Sequence, residues 1–378
     1  MRSDVIPISE LEQRDLAAWK RLGATAVTLN PFAEQEFVLP AAFAWRVHDL
    51  AMLVVRDGSD WLAAVPVRSM RSWRGVPGPC LATWRHAYCY FGGPLVVHAD
   101  TEAILATLIK GGLQAGRCLA LDWIDVDGPV SEPLASALAT ESRLVVVDEF
   151  ERAALYRRSS PDYLEQTLNP PERDDYQRKL ELLQHEVGTL TLRDHSTDPA
   201  AYERFLKLER AGWKGDVGTA MASRPGHAVF FTQMCRGFAQ SDRLLMLSLA
   251  NEQRTAAMSC ELLAGDMSFN FKLTFDERLA RFSPAVQLHI ANLDRFHASG
   301  LAWSDSCADS DHATLNRLWP ERRRLRSVVA TRREPSGALP FAKWRTASAA
   351  TPSRRYPPAD RSIRTPDGPG LYSASARL

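Results

Sequence analysis

The sequence predicts an α/β protein of two similar lobes, each a mostly antiparallel mixed sheet flanked by helices. Three observations carry this. The 378 residues suffice for about two or three domains at roughly 150 residues each. Short apolar runs follow strand-like or helix-like periods in turn. Their order, helix, helix, three strands, helix, strand, helix, strand, occurs in both halves of the chain.

In the first half, residues 8–22 and 33–45 read as helices, and 50–56 and 61–69 as strands joined around Asp57-Gly58, a hairpin signal. The segment from Trp84 to Val96 reads as another strand, with Trp84, His86, Tyr88 and Tyr90 on one face. Helices at 101–115 and 131–140 alternate with strands at 118–125 and 143–150. A charged helical stretch, 161–186, links the halves. The second half continues with a strand at 188–194, helices at 198–211 and 226–239, and strands at 243–249, 254–263 and 266–275. A helix from Pro284 to Ser299, a strand at 301–306, a short helix at 312–318 and a strand at 322–331 complete it. The expected division is 1–155 and 156–332, followed by a disordered tail, 333–378, whose Pro, Ser and Arg residues bury too little apolar surface to offset chain ordering.

Forty-six basic and 45 acidic residues leave a formal charge of +1, which argues against a general nucleic-acid binder. The six cysteines are scattered singly through apolar segments, the pattern of reduced, buried thiols in a cytoplasmic protein. The N-terminal stretch from Met1 to Trp19 is charged and helical in pattern and lacks the apolar block of a secretory signal, and no apolar run approaches the roughly 20 residues that span a bilayer. There is no Gly-x-Ser-x-Gly elbow, Walker A loop or Gly-x-Gly-x-x-Gly turn. His289 and His297 are eight apart, and Cys307 and His312 lack further spaced partners, so no metal is expected. Oligomeric state is not legible.

The most informative run extends from Phe269 to Ala285. An alternating strand breaks into a turn bearing Arg278 and Arg281, then opens a helix with Ser283 as N-cap and Pro284 at its first position. The N–H groups of Ala285, Val286 and Gln287 would lack intrahelical partners at the positive end of the helix dipole, which makes an anion site suited to phosphate.

The second half resembles the GNAT-superfamily acetyltransferases of the cellulose-biosynthesis (CelD-like) type, relatives of the Fem peptidyltransferases with their two GNAT-like halves. The resemblance rests on Glu209–Ala220, on Phe271-Lys272-Leu273-Thr274-Phe275-Asp276 with Ser283-Pro284-Ala285, and on the segment from Asp305 to Trp319-Pro320. It covers about 150–331; the first half shares it loosely, through Asn30-Pro31-Phe32 and Phe91-Gly92-Gly93-Pro94. The turn departs from the family pattern in having no glycine, and Ala285 stands where many relatives have one.

The resemblance implies direct transfer of an acyl group, acetyl from acetyl-CoA, to an amine or hydroxyl, with a sugar or polysaccharide intermediate as acceptor. It places the coenzyme at Lys272, Asp276, Arg278, Arg281, Ser283, Pro284, Ala285 and Val286, and the acceptor at Trp213, Lys214 and Gly215. Four residues are candidates for catalysis. Lys272 is either near the reaction centre or a solvated strand lysine, on a face expected to hold Asn270 and Thr274 and opposite to Phe269, Phe271, Leu273 and Phe275. Glu261, in the apolar run Ala256–Leu263, is a base with raised pKa or an edge carboxylate. Glu209 is a base or a helix-end charge, and Asp305 faces the thioester arm or caps the segment after it. Two alternatives stand beside it: as runner-up enzyme a Fem-like transferase using aminoacyl-tRNA, and from another class a non-catalytic scaffold that has lost the coenzyme with the glycine turn.

Overall fold

The structure, a computed structural model, describes residues 1–74 and 76–332; the expected tail lies outside them. Along the chain come β1 (Arg2–Pro7), α1 (Gln13–Thr25), α2 (Gln35–Ala44), β2 (Leu50–Asp57), β3 (Asp60–Trp73), β4 (Val76–Thr83), β5 (Leu95–Val96), α3 (Thr101–Ala115), β6 (Cys118–Asp125), α4 (Ser131–Glu141) and β7 (Arg143–Tyr156). Then follow α5 (Tyr163–Thr167), α6 (Pro170–Val187), β8 (Thr191–Asp194), α7 (Ala200–Ala211), α8 (Trp213–Asp216), α9 (His227–Ala239), β9 (Leu244–Ala250), β10 (Thr255–Ala264), β11 (Met267–Phe275), α10 (Pro284–Ala298), β12 (Trp303–Asp305), α11 (Ala313–Leu318) and β13 (Glu321–Thr331). Among the described residues, one compact unit comprises Met1–Gln35, Val47–Phe150 and Arg324–Arg332; the other comprises Glu36–Arg46 and Glu151–Arg323. Helix α2 is assigned almost wholly to the second unit and most of β13 to the first.

In the first unit, strands run β1-β2-β3-β4-β6-β13. Pairing is antiparallel except between β4 and β6, whose Cys80–Ala82 and Cys118–Ala120 run parallel. Helix α3 turns Ile104, Leu105, Leu108 and Ile109 onto Leu53, Val65 and Leu119, forming one buried cluster. Two expectations fail here. The N-terminal residues form an edge strand, Arg2 opposite Arg56 through Pro7 opposite Ala51, because Val5 and Ile6 suit a pleated surface and Pro7 then stops the ladder. The segment 84–94 is a loop, since the Trp84 N–H bonds Pro66 O and the Cys89 N–H turns back to His86 O; the strand lies earlier, at β4.

In the second unit the order is β7-β12-β11-β10-β9-β8. One sheet face carries a cluster in which Leu183 of α6 and Leu288 of α10 meet Leu245, Leu247 and Leu249. The other carries an aromatic layer: Phe37 of α2 stands edge-on to Phe230 (5.3 Å) and Phe271 (6.0 Å), and Phe205 of α7 stacks on Phe231 of α9. Two irregularities shape the middle of this sheet. Parallel β11 and β12 pair only from Met267–Trp303 to Phe269–Asp305, so β11 runs on without that neighbour. Cys260 faces Lys272 and Leu262 faces Phe269, so Asn270 and Phe271 together stand opposite the single residue Glu261, which makes a β-bulge.

Candidate active site

Lys272 follows the bulge, and the bulge decides where it points. Phe271 joins the aromatic layer with Phe231 of α9, while the Lys272 Nζ reaches Glu209, near the end of α7, at 3.4 Å. Leu273 and Phe275 pack instead with the Leu183–Leu288 cluster. The expected separation of Phe271 from Lys272 is thus corrected: the inserted residue brings both toward α7 and α9.

Glu209 is 1 % exposed. Its Oε2 accepts the Met221 N–H at 2.8 Å, and its Oε1 lies 3.8 Å from the Lys214 Nζ. Burial outweighs this carboxylate at Lys272 and lowers its ammonium pKa to about 8, with Lys214 and Arg224 adding repulsion. On the order of one tenth of the amine is therefore neutral at about pH 7. His227, the first residue of α9, is held to about 4 by burial and by Arg224 and Lys272; it is a neutral imidazole here.

The acceptor candidates are assembled beside this pair. Gly212 joins α7 to α8, and within α8 a side chain at Gly215 would collide with the Arg210 carbonyl. This close approach keeps Lys214 at Glu209 and leaves Trp213 44 % exposed. Asn270, at the bulge, is 7 % exposed and its Oδ1 has no hydrogen-bond partner, an acceptor for which burial creates a demand.

The turn before α10 departs in part from the expected geometry. Pro284 opens α10, but Ser283 sits in the left-handed region (φ 55°) without a side-chain cap bond, a conformation that favours glycine. The Gln287 N–H donates to Ser283 O at 3.1 Å, so the first turn offers Ala285 and Val286, not Gln287. Arg278 is engaged by Asp276 through Nε (2.9 Å) and Nη2 (2.7 Å), and Arg281 pairs with Glu186. Asp276 also accepts the Arg278 N–H and so caps the turn.

Glu261 and Asp305 are not brought to Lys272. Neighbouring residues alternate between faces, and Cys260 lies opposite Lys272 with its Sγ 4.0 Å from Cys235 of α9; Glu261 accordingly faces α10, where the Asn292 Nδ2 donates to its Oε1 at 3.2 Å. Burial raises the Glu261 carboxyl pKa. It lines a cavity of about 10 Å³ with His289, Asn292 and Ser304, room for about one water. Asp305 is fully buried and accepts from Arg152 Nη2 (2.6 Å), Arg323 Nη1 (2.7 Å) and the Cys307 N–H (2.9 Å). Although burial opposes its charge, the two guanidiniums hold its pKa down. It ties β12 to β7 and the start of β13. Sequence reading assigned no role to Arg224, His227 or Asn270; the polar residue between Phe269 and Phe271 in a buried strand was the available signal for the last.

Residues 172–313 match the acetyltransferase (GNAT) domain family. Among solved structures, FemX is similar with a TM-score of 0.57 and 9 % identity, covering 92 % of this chain and 100 % of that one. A conserved protein from Bacteroides thetaiotaomicron gives 0.53 and 13 %, with coverages of 84 % and 97 %. A C-terminal domain from Agrobacterium fabrum, assigned to a lysylphosphatidylglycerol synthetase, gives 0.52 and 11 %, with coverages of 84 % and 91 %. No curated protein matches the sequence. The fold is thus a mixed α/β architecture, and residues 172–313 carry the match to an acyltransferase domain. No helix among the described residues is long and apolar enough to cross a membrane.

Proposed function

We propose that the second unit transfers an acyl group, acetyl from acetyl-CoA, directly to an amine or hydroxyl, with a sugar or polysaccharide intermediate as acceptor class. One observation carries this reading: the Glu209–Lys272 pair, 3.4 Å apart, stands beside a bulge on the stretch of β11 that has left β12, and this strand leads into the turn that opens α10 with free N–H groups. Such an arrangement supplies what an activated thioester needs from the protein, namely a held nucleophile, a proton acceptor and donors for charge developing on oxygen.

Lys272 in its neutral form takes the proton as the acceptor's nitrogen or oxygen bonds to the acyl carbon. The carbon–sulfur bond then breaks, and the thiolate takes up a proton. Glu209 orients Lys272 and balances its charge when protonated. Ala285 and Val286 offer N–H groups to phosphate oxygens, and the Asn270 Oδ1 offers an acceptor to an amide N–H.

Calorimetry with acetyl-CoA tests this, with free coenzyme A and ATP as controls. Specific micromolar binding is expected. No binding of any acyl-CoA overturns the reading; salt-sensitive tRNA binding would then favour the aminoacyl-tRNA-dependent transferase, and its absence the scaffold.

A further inference from the structure

Basic side chains gather at one buried carboxylate, Glu209. That one buried carboxylate faces two ammoniums, Lys272 at 3.4 Å and Lys214 at 3.8 Å. A third cation follows closely along the chain. The Met221 N–H is bonded to Glu209, the Arg224 N–H returns to Met221 O at 3.3 Å, and the His227 N–H returns to Arg224 O at 3.3 Å. Among the described residues Arg224 makes no ion pair; its Nε meets only the Gly218 carbonyl, at 3.4 Å. Arg224 acts electrostatically on both Lys272 and His227. Glu277 borders Gly212 and feels the Lys214 charge, although burial raises its carboxyl pKa, and Asp216 is exposed on α8. Trp213, 44 % exposed, has the Lys214 Nζ 6.0 Å from its ring centre.

We infer that the acceptor carries a carboxylate or a phosphate near its nucleophile, and that Arg224, assisted by Lys214, receives this anion while Trp213 lies against the acceptor's body. A guanidinium presents two parallel N–H groups matched to either oxyanion. The residue is a specificity determinant, separate from the proton acceptor Lys272. The inference rests on the acceptor side proposed above, but it is measured independently of the coenzyme.

The test compares matched amines: D-glucosamine 6-phosphate against D-glucosamine, and L-alanine against L-alaninamide. Each is titrated calorimetrically into the full-length protein, with and without saturating coenzyme A, and acetyl transfer is followed by thiol release. At least one anionic member is expected to bind about tenfold or more tightly than its neutral twin. The pair that shows the preference identifies phosphate or carboxylate as the anion. Arg224→Gln should abolish the preference, Arg224→Lys should restore part of it, and neither should change acetyl-CoA affinity. Equal binding within both pairs, or a preference that survives Arg224→Gln, overturns the inference even if acetyl-CoA binds. Failure of acetyl-CoA to bind while the Arg224-dependent preference persists overturns the acyl-CoA reading and leaves the anion site standing.

Discussion

The Lys272 Nζ and the Glu209 Oε1 stand 3.4 Å apart at a place that water barely reaches, the lysine side chain 15 % exposed and the glutamate fully covered. A carboxylate this close would ordinarily favour the ammonium, yet burial dominates and Lys272 titrates near 8. Activity that needs the neutral amine should rise with pH through about 8 in a plot of kcat/KM. In Glu209→Gln the carboxylate that supports the ammonium is gone, so the midpoint should move to lower pH. Lys272→Met should reduce kcat by roughly 10²–10⁴-fold with acetyl-CoA affinity unchanged. A wild-type turnover in this variant would remove Lys272 from the chemistry.

The two N–H groups at the start of α10 can be separated by one substitution. Ala285→Pro deletes the first of them at a position where proline is tolerated; α6 itself begins with Pro170 and Pro171. Acetyl-CoA affinity should fall by about tenfold, one charge-assisted hydrogen bond, with the melting temperature little changed. Unaltered affinity in calorimetry would show that the phosphates lie elsewhere.

Asp305 is expected to matter for stability. Asp305→Ala leaves the Arg152 and Arg323 guanidiniums buried without their shared carboxylate, which should cost about 3–5 kcal/mol. Denaturant unfolding measures this directly. A loss below about 1 kcal/mol would mean that the triad is solvated.

His289 gives the protein a pH-dependent weakness. Burial lowers its folded-state pKa to about 4, whereas an unfolded histidine titrates near about 6.5. Between these values the unfolded chain binds more protons, so stability falls as pH falls through that window. His289→Leu should lose less stability than wild type between pH 7 and pH 5, both pH values chosen roughly to bracket the upper part of the window, as read by urea midpoints. Parallel losses would place the titration elsewhere.

Helices and strands with a steady period were legible from sequence. Helix α10 is the clearest, since Pro284 begins it and Gly300 follows its end. The loop at 84–94 misled because its alternating aromatics imitate a strand, while its turns depend on partners far along the chain, such as Pro66 O for the Trp84 N–H. Within the site, Glu209, Lys272, Trp213, Lys214 and Gly215 could be singled out as residue types in informative places. Their meeting could not, because the pair is 63 positions apart and its geometry depends on a bulge. Phe269, Phe271, Leu273 and Phe275 read as one uninterrupted face, and an extra residue in the ladder leaves no mark on hydropathy. Arg224 was hidden for a similar reason: a lone arginine before Pro225 says nothing about the carboxylates it lacks.

The exchange of chain segments between the units has a consequence for synthesis on the ribosome. The first unit's sheet ends on Leu325–Thr331, which pair with Cys118–Asp125, so β6 has no partner on that side until nearly the whole described chain has emerged. The second unit, by contrast, finds its early segment already made: α2, which brings Phe37 to Phe230 and Phe271, is translated long before those phenylalanines. Nascent chains released before position 325 would therefore carry an incomplete first sheet with an open strand edge, the kind of species that aggregates. Cutting the gene after codon 150 would orphan both pieces, one without its closing strand and the other without the helix that covers its aromatic layer.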